Sequence, residues 1–82
     1  MSTLVFTKEA QKDLIRLPKN ENKKILKKFN LLKDYPLSGK LLKGDFAGFY
    51  SLRAWPYRII YTIEKSKIIV IHRVEHRQSV YK

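Results

Sequence analysis

Tyr57-Arg58-Ile59-Ile60-Tyr61-Thr62-Ile63 is the stretch on which the fold turns. β-branched and aromatic residues fill it, the composition of a strand. Two similar runs flank it, Phe49-Tyr50-Ser51-Leu52-Arg53 before and Lys67-Ile68-Ile69-Val70-Ile71-His72-Arg73 after, with Ala54-Trp55-Pro56 and Glu64-Lys65-Ser66 as the links. Links this short join antiparallel neighbours. The three runs therefore predict an antiparallel meander.

Towards the N-terminus the pattern changes period. Ile25, Phe29 and Leu32 form an apolar stripe widened by Leu26, with Lys23, Lys24, Lys27 and Lys28 on the remaining surface. This is a helix that starts near Asn20 or Glu21 and closes at Pro36. Before it, Ala10, Leu14 and Leu17 recur at i, i+4 and i+7, with Thr7 placed as N-cap and Glu9 in the first turn. Leu17-Pro18 ends that helix, because the residue before proline is pushed out of the α region. Thr3-Leu4-Val5-Phe6-Thr7 reads as an opening strand. Gly39, Gly44 and Gly48 punctuate the segment from Leu37 to Gly48, a connecting loop with room for a short strand.

Together these elements predict an α+β fold with residues 1–82 as a single domain. Its parts are an N-terminal strand, an antiparallel helix hairpin and a three-strand antiparallel meander. All strands join one sheet with the helices packed on one face. The tail from Glu75 to Lys82 is a short C-terminal segment, either a helical turn or a docked extended end.

Composition narrows the function classes. Eighty-two residues leave a thin core and no room to wall off a deep cofactor cavity. A hydrophobic share of 44% with 12% aromatics is enough apolar surface to fold. Cysteine is absent, which excludes disulfides, thiolate metal sites and a thiol nucleophile. Neither a signal-peptide core nor a membrane-length apolar run occurs, so a cytoplasmic protein is expected, with no membrane partner. Eighteen Lys+Arg against seven Asp+Glu give a net charge of +11, a field that draws nucleic acid or an acidic protein.

The basic residues fall into two populations. Most lysines lie in the first half, whereas Arg53, Arg58, Arg73 and Arg77 lie in the second. A guanidinium can grip a phosphate at two oxygens, while lysines act as point charges. Solvated strand ends and phosphate-gripping groups are both compatible with the arginine positions. His72 and His76 are the only side chains suited by nature to proton transfer near neutrality. No carboxylate motif completes a metal site around them, so no metal and no cofactor are expected, and His72 reads as a structural strand residue. Aromatics in a small sheet are mostly core, which leaves Trp55 and Tyr81 as base-stacking candidates. A basic site with imidazole, phenol and guanidinium groups suits phosphoryl chemistry on RNA, where the 2′-OH is the nucleophile.

The sequence resembles the RelE/ParE superfamily of bacterial and archaeal toxins. The resemblance spans nearly the whole chain. It rests on Leu41-Leu42-Lys43-Gly44, on Tyr50-Ser51-Leu52-Arg53-Ala54-Trp55-Pro56-Tyr57-Arg58-Ile59-Ile60-Tyr61, and on His76-Arg77-Gln78-Ser79-Val80-Tyr81. It implies the toxin of a type II toxin–antitoxin pair, of the RelE-like branch. Such a toxin is a ribosome-dependent endoribonuclease that cuts mRNA in the A site by 2′-OH attack. Its partners would be the ribosome, mRNA and a cognate acidic, RelB-like antitoxin held in a heteromeric complex.

Residue by residue, the resemblance implies that Arg58 contacts the scissile phosphate and that Arg77 stabilises it. Tyr81 would take part in stacking or proton transfer. Arg53, Lys43, Trp55 and Lys82 would bind RNA. Where the best-known nucleases carry two strand lysines, this chain has Phe49 and Ser51. His76 is the residue placed to stand in for the missing proton acceptor. The same fold implies two alternatives: a ParE-like inhibitor of DNA gyrase, or an inactive nucleic-acid- or antitoxin-binding module.

Overall fold

The computed structural model describes residues 2–65 and 67–80. Thr3–Phe6 form β1, Lys8–Arg16 α1 and Lys19–Asp34 α2. Lys40–Leu41 form β2, Tyr50–Ala54 β3, Tyr57–Glu64 β4, Ile68–His76 β5 and Arg77–Val80 the short α3. The predicted α+β arrangement is what the chain adopts.

Local chemistry sets the boundaries. Thr7 caps α1 by accepting from the Ala10 N–H at 3.1 Å, while its own hydroxyl donates to the His72 carbonyl at 3.0 Å. One side chain thus starts the helix and ties it to β5. The helix ends at Arg16, before Pro18, and α2 begins at Lys19, slightly earlier than its apolar stripe suggests.

The sheet order is β1-β5-β4-β3-β2. The meander β3-β4-β5 is antiparallel, and β1 returns parallel to β5 at one edge. The loop after α2 contributes the other edge, the two-residue β2, with Lys40 opposite Ser51. Period-2 alternation directs Leu52, Ala54, Ile59, Tyr61, Ile69 and Ile71 to one face, where they bury against Ala10, Ile25, Phe29 and Leu32 of the helices. Each aliphatic side chain buried there contributes on the order of 1.5–3 kcal/mol before entropy is counted.

β5 is longer than its hydrophobic run. Sequence patterning ends the strand at Arg73 and assigns Glu75 and His76 to the tail, yet both pair with β4, opposite Arg58 and Tyr57. A register shift explains the extension. Ile60 pairs with Arg73 but Tyr61 pairs with Ile71, so His72 is the extra residue of a β-bulge. The bulge changes the phase of the strand, placing Val74 in the core, only 4% exposed, where strict alternation from Ile71 would have placed Arg73.

Beyond the end of β1, α1 takes over the edge of β5. Asp13 accepts from the Val74 N–H at 2.9 Å and from Arg73 Nε at 2.8 Å and a second Arg73 nitrogen at 3.2 Å. Among the described residues, no helix is long and apolar enough to cross a membrane.

Candidate functional site

The helices cover one face of the sheet, and alternation sends the chemistry to the other. Ser51 and Arg53 of β3, and Arg58, Ile60 and Thr62 of β4, alternate with core residues and so point to the open face. Arg53 and Arg58 are direct cross-strand partners. With Ser38, Lys40, Leu42, Leu52 and Ser51 they line a cleft of about 460 Å³. Neither arginine forms an ion pair with a carboxylate among the described residues. Like charges directly opposite one another repel, and Glu75, across the ladder from Arg58 on β5, offsets this only in part because its carboxylate pairs with Arg73 at 3.7 Å instead. An anion entering the cleft would supply the rest.

A second basic group gathers at the β3–β4 turn. The guanidinium of Arg77 lies 4.8 Å from the centroid of the Trp55 ring, and that of Arg53 lies 5.8 Å from it. The indole is 55% exposed, so it presents aromatic surface to solvent while holding both cations nearby. The turn is itself anchored: Lys24 of α2, paired with Glu21 at 2.8 Å, donates to the Trp55 carbonyl at 2.7 Å. The Arg77 N–H donates to the Pro56 carbonyl at 2.8 Å, which fastens the start of α3 to the same turn.

Arg53 therefore links the residues expected from the sequence, standing opposite Arg58 and beside the Trp55 ring that Arg77 also contacts. His76 is placed elsewhere. It pairs with Tyr57 and lines a smaller cavity, about 210 Å³, with Asp13, Arg16 and Leu17 of α1 on the helix side of the sheet. Its ring meets Tyr57 edge-on at 5.2 Å, and Nδ1 accepts from the Gln78 N–H at 3.1 Å. In the neutral form the proton then sits on Nε2, so the ring enters its cavity as a donor. Lys43 is exposed in the loop after β2, apart from the cleft lining. Tyr81 and Lys82 lie outside the described residues.

Lys40 joins the cleft through the register of β2 and was not singled out by sequence. Its only signal was its place in the glycine-punctuated loop. Among the described residues, no cluster of three or more His, Cys, Asp or Glu side chains could hold a metal ion. Chemically, the open face offers two guanidiniums, an ammonium and hydroxyls: it can hold a phosphate and stabilise charge that develops on its oxygens.

Comparison with known proteins places this arrangement. The ParE toxin family of type II toxin–antitoxin systems, parDE, matches residues 4–81. The chain belongs to this family. Toxin RelG of Mycobacterium tuberculosis is 36% identical over 83 residues, covering 98% of this chain and 95% of that protein. The toxin–antitoxin complex RelBE2 of the same organism superposes with a TM-score of 0.84 at 37% identity, over 93% of this chain and 98% of that one. The YoeB/ParE toxin of Agrobacterium tumefaciens gives 0.80 at 26% identity, over 93% and 98%. The match extends across β1 to α3, so the arginine-bearing hairpin belongs to the shared toxin fold of the RelE/ParE superfamily.

Proposed function

We propose that this toxin is an mRNA endoribonuclease acting on the ribosome, with the open sheet face as its RNA-cleaving surface. The observation that carries the reading is the Arg53–Arg58 pair, two guanidiniums that face each other beside Lys40 in an open cleft and form no ion pair among the described residues. Arg58 holds the scissile phosphate, Arg53 and Lys40 share its charge, and Arg77 reaches the site from Trp55. The 2′-oxygen of the substrate attacks phosphorus, the P–O5′ bond breaks, and the products are a 2′,3′-cyclic phosphate and a 5′-hydroxyl. The ribosome holds the mRNA, which a domain with so thin a core need not do. Tyr81 is the resemblance's group for stacking or proton transfer. His76 is oriented as a donor on the opposite sheet face, so it suits a role outside this cleft.

The cognate partner under this reading is an acidic antitoxin that covers the basic surface. Relatives solved as toxin–antitoxin complexes, RelBE2 among them, support such a partner. A charge of +11 favours it.

The deciding experiment is induction of the chain in cells with sequencing of RNA 5′ ends. New ends within translated codons, lost in Arg58→Ala, are expected. Translation that continues unbroken, with no new ends, sinks the proposal. The ParE name of the family and the Phe49 and Ser51 replacements favour gyrase inhibition as the second reading. Stoichiometric inhibition of supercoiling by purified gyrase would establish it.

A further inference from the structure

The open face carries a second group of side chains beyond the arginine cleft. His72, extra in the β5 bulge, turns its ring to this face, where Phe49 meets it edge-on at a centroid distance of 5.0 Å and 62°. Thr62 of β4 lies beneath, with its Oγ1 2.9 Å from His72 Nε2. We infer that Phe49 and His72 form a subsite for an unpaired nucleobase with an exocyclic amino group, taking cytosine in preference to uracil, next to the phosphate held by Arg53 and Arg58. The inference rests on the open face being the RNA-cleaving surface.

Proton accounting fixes the selectivity. The Thr62 hydroxyl donates to Glu64 Oε2 at 3.1 Å, and a carboxylate there can only accept. A hydroxyl has one proton, so towards His72 the oxygen is an acceptor and Nε2 must be the donor. The neutral ring therefore carries its free lone pair on Nδ1. Among the described residues Nδ1 has no hydrogen-bond partner, and it is not a buried orphan. It is an acceptor open to solvent beside an aromatic ring. The N4 amino group of cytosine can donate to it; the O4 of uracil at the same place presents a second lone pair and is repelled. Phe49 adds a half-buried ring on which a base can stack.

Distance assigns the subsite to a neighbouring nucleotide. Thr62 stands four residues along β4 from Arg58, about 13 Å of strand. That is too far for His72 to act on the phosphate at Arg58. It suits the next base of an extended single strand.

The test uses purified full-length chain and fluorescently labelled deoxycytidine and deoxyuridine hexamers, which lack the 2′-OH and cannot be cut. Binding is measured by anisotropy at pH 8 and one fixed salt concentration, so that phosphate contacts contribute equally to both. The wild type should prefer the cytosine strand about fivefold, one neutral hydrogen bond. Phe49→Ala should weaken both strands about tenfold. His72→Phe keeps the ring and loses the acceptor, so it should bind both strands alike. Thr62→Val frees the tautomer and should also lose the preference, which serves if His72→Phe melts early. A wild type that binds the two strands equally, or a folded His72→Phe or Thr62→Val that keeps the preference, overturns the subsite. A cytosine preference in a protein that leaves cellular mRNA uncut would instead sink the cleavage reading and leave the base subsite standing.

Discussion

Arg53 and Arg58 stand directly opposite each other across the β3–β4 ladder, on the face of the sheet that the helices leave open. Opposed like charges destabilise a strand pair by up to about 1 kcal/mol, and Glu75, opposite Arg58 on β5, offsets part of this. Arg58→Ala should lower mRNA cleavage by a factor of about a hundred or more, as loss of a charge-stabilising donor does. The same change should leave the melting temperature nearly unchanged, because it removes a repulsion with Arg53 and an attraction to Glu75 together. Circular dichroism melts read beside the cleavage assay check both; a large drop in melting temperature would make Arg58 a structural residue instead.

Asp13 is the opposite case, a charged residue whose work is structural. It is partly buried and accepts from both the Arg73 side chain and the Val74 N–H, where β5 has run past β1. Asp13→Ala leaves a ladder N–H beside the helix without its acceptor and should destabilise by about 1–3 kcal/mol. Asp13→Asn keeps one acceptor and should recover part of that. Urea denaturation would measure the difference, and equal losses in both variants would mean that packing, not the acceptor, is what Asp13 provides.

The same residues show how far the sequence could be read. Alternation alone suffices for the sheet faces of β3 and β4, because neither strand is interrupted: it separates Arg58 from the core residues Ile59 and Tyr61. It fails in β5, where a bulge at His72 changes the phase by one residue without any glycine or proline to announce it. Past that point the pattern misplaces the strand end, and His76 passes for a tail residue although its register puts it on the helix side. His76 and Arg77 are neighbours in sequence, but His76 ends β5 and Arg77 begins α3, so the two side chains part. His72 reads as a structural strand residue from sequence, and its contacts with Thr62 of β4 and with Phe49 before β3 are not legible there.

Tyr61 ties the strand core to the segment before β2. Its ring is fully buried, its hydroxyl donates to the Pro36 carbonyl at 2.7 Å and it accepts from the Gly39 N–H at 2.9 Å. A side chain at position 39 has no room, since a Cβ there would lie 2.6 Å from the Tyr61 hydroxyl oxygen. Gly39→Ala should therefore displace the phenol and destabilise by about 1–3 kcal/mol. Thermal melts check it, and a neutral substitution would show that the loop can give way.

Burial also raises the ionisation of Tyr61 above its ordinary value near 10, although the Gly39 hydrogen bond works against the shift and the nearby Tyr50 adds to it. The folded state then holds this proton more tightly than the unfolded chain. Its contribution is fully present below pH 10 and is lost as pH rises through the folded-state value. Tyr61→Phe should be less stable than wild type at neutral pH by about 1–2 kcal/mol, from the lost hydrogen bonds. The gap should narrow in alkali. Denaturation at pH 8 and pH 11 tests this, and a constant gap would count against a buried, resistant phenol.

Trp55 offers a test of whether the turn positions Arg53 and Arg77 for the proposed cleavage. Its ring lies 4.8 Å from the Arg77 guanidinium and 5.8 Å from that of Arg53, an attraction of about 0.5–1 kcal/mol for each at an exposed site. If the indole serves to aim Arg77 into the phosphate site, removing either partner removes the same function. Trp55→Ala and Arg77→Ala should each reduce cleavage, and the double variant should be little worse than Arg77→Ala alone, the non-additivity expected of residues acting as a unit. Trp55→Phe, which keeps an aromatic face, should restore part of the activity. Multiplicative losses in the double variant, with no rescue by phenylalanine, would separate the two residues and return Trp55 to independent contact with RNA.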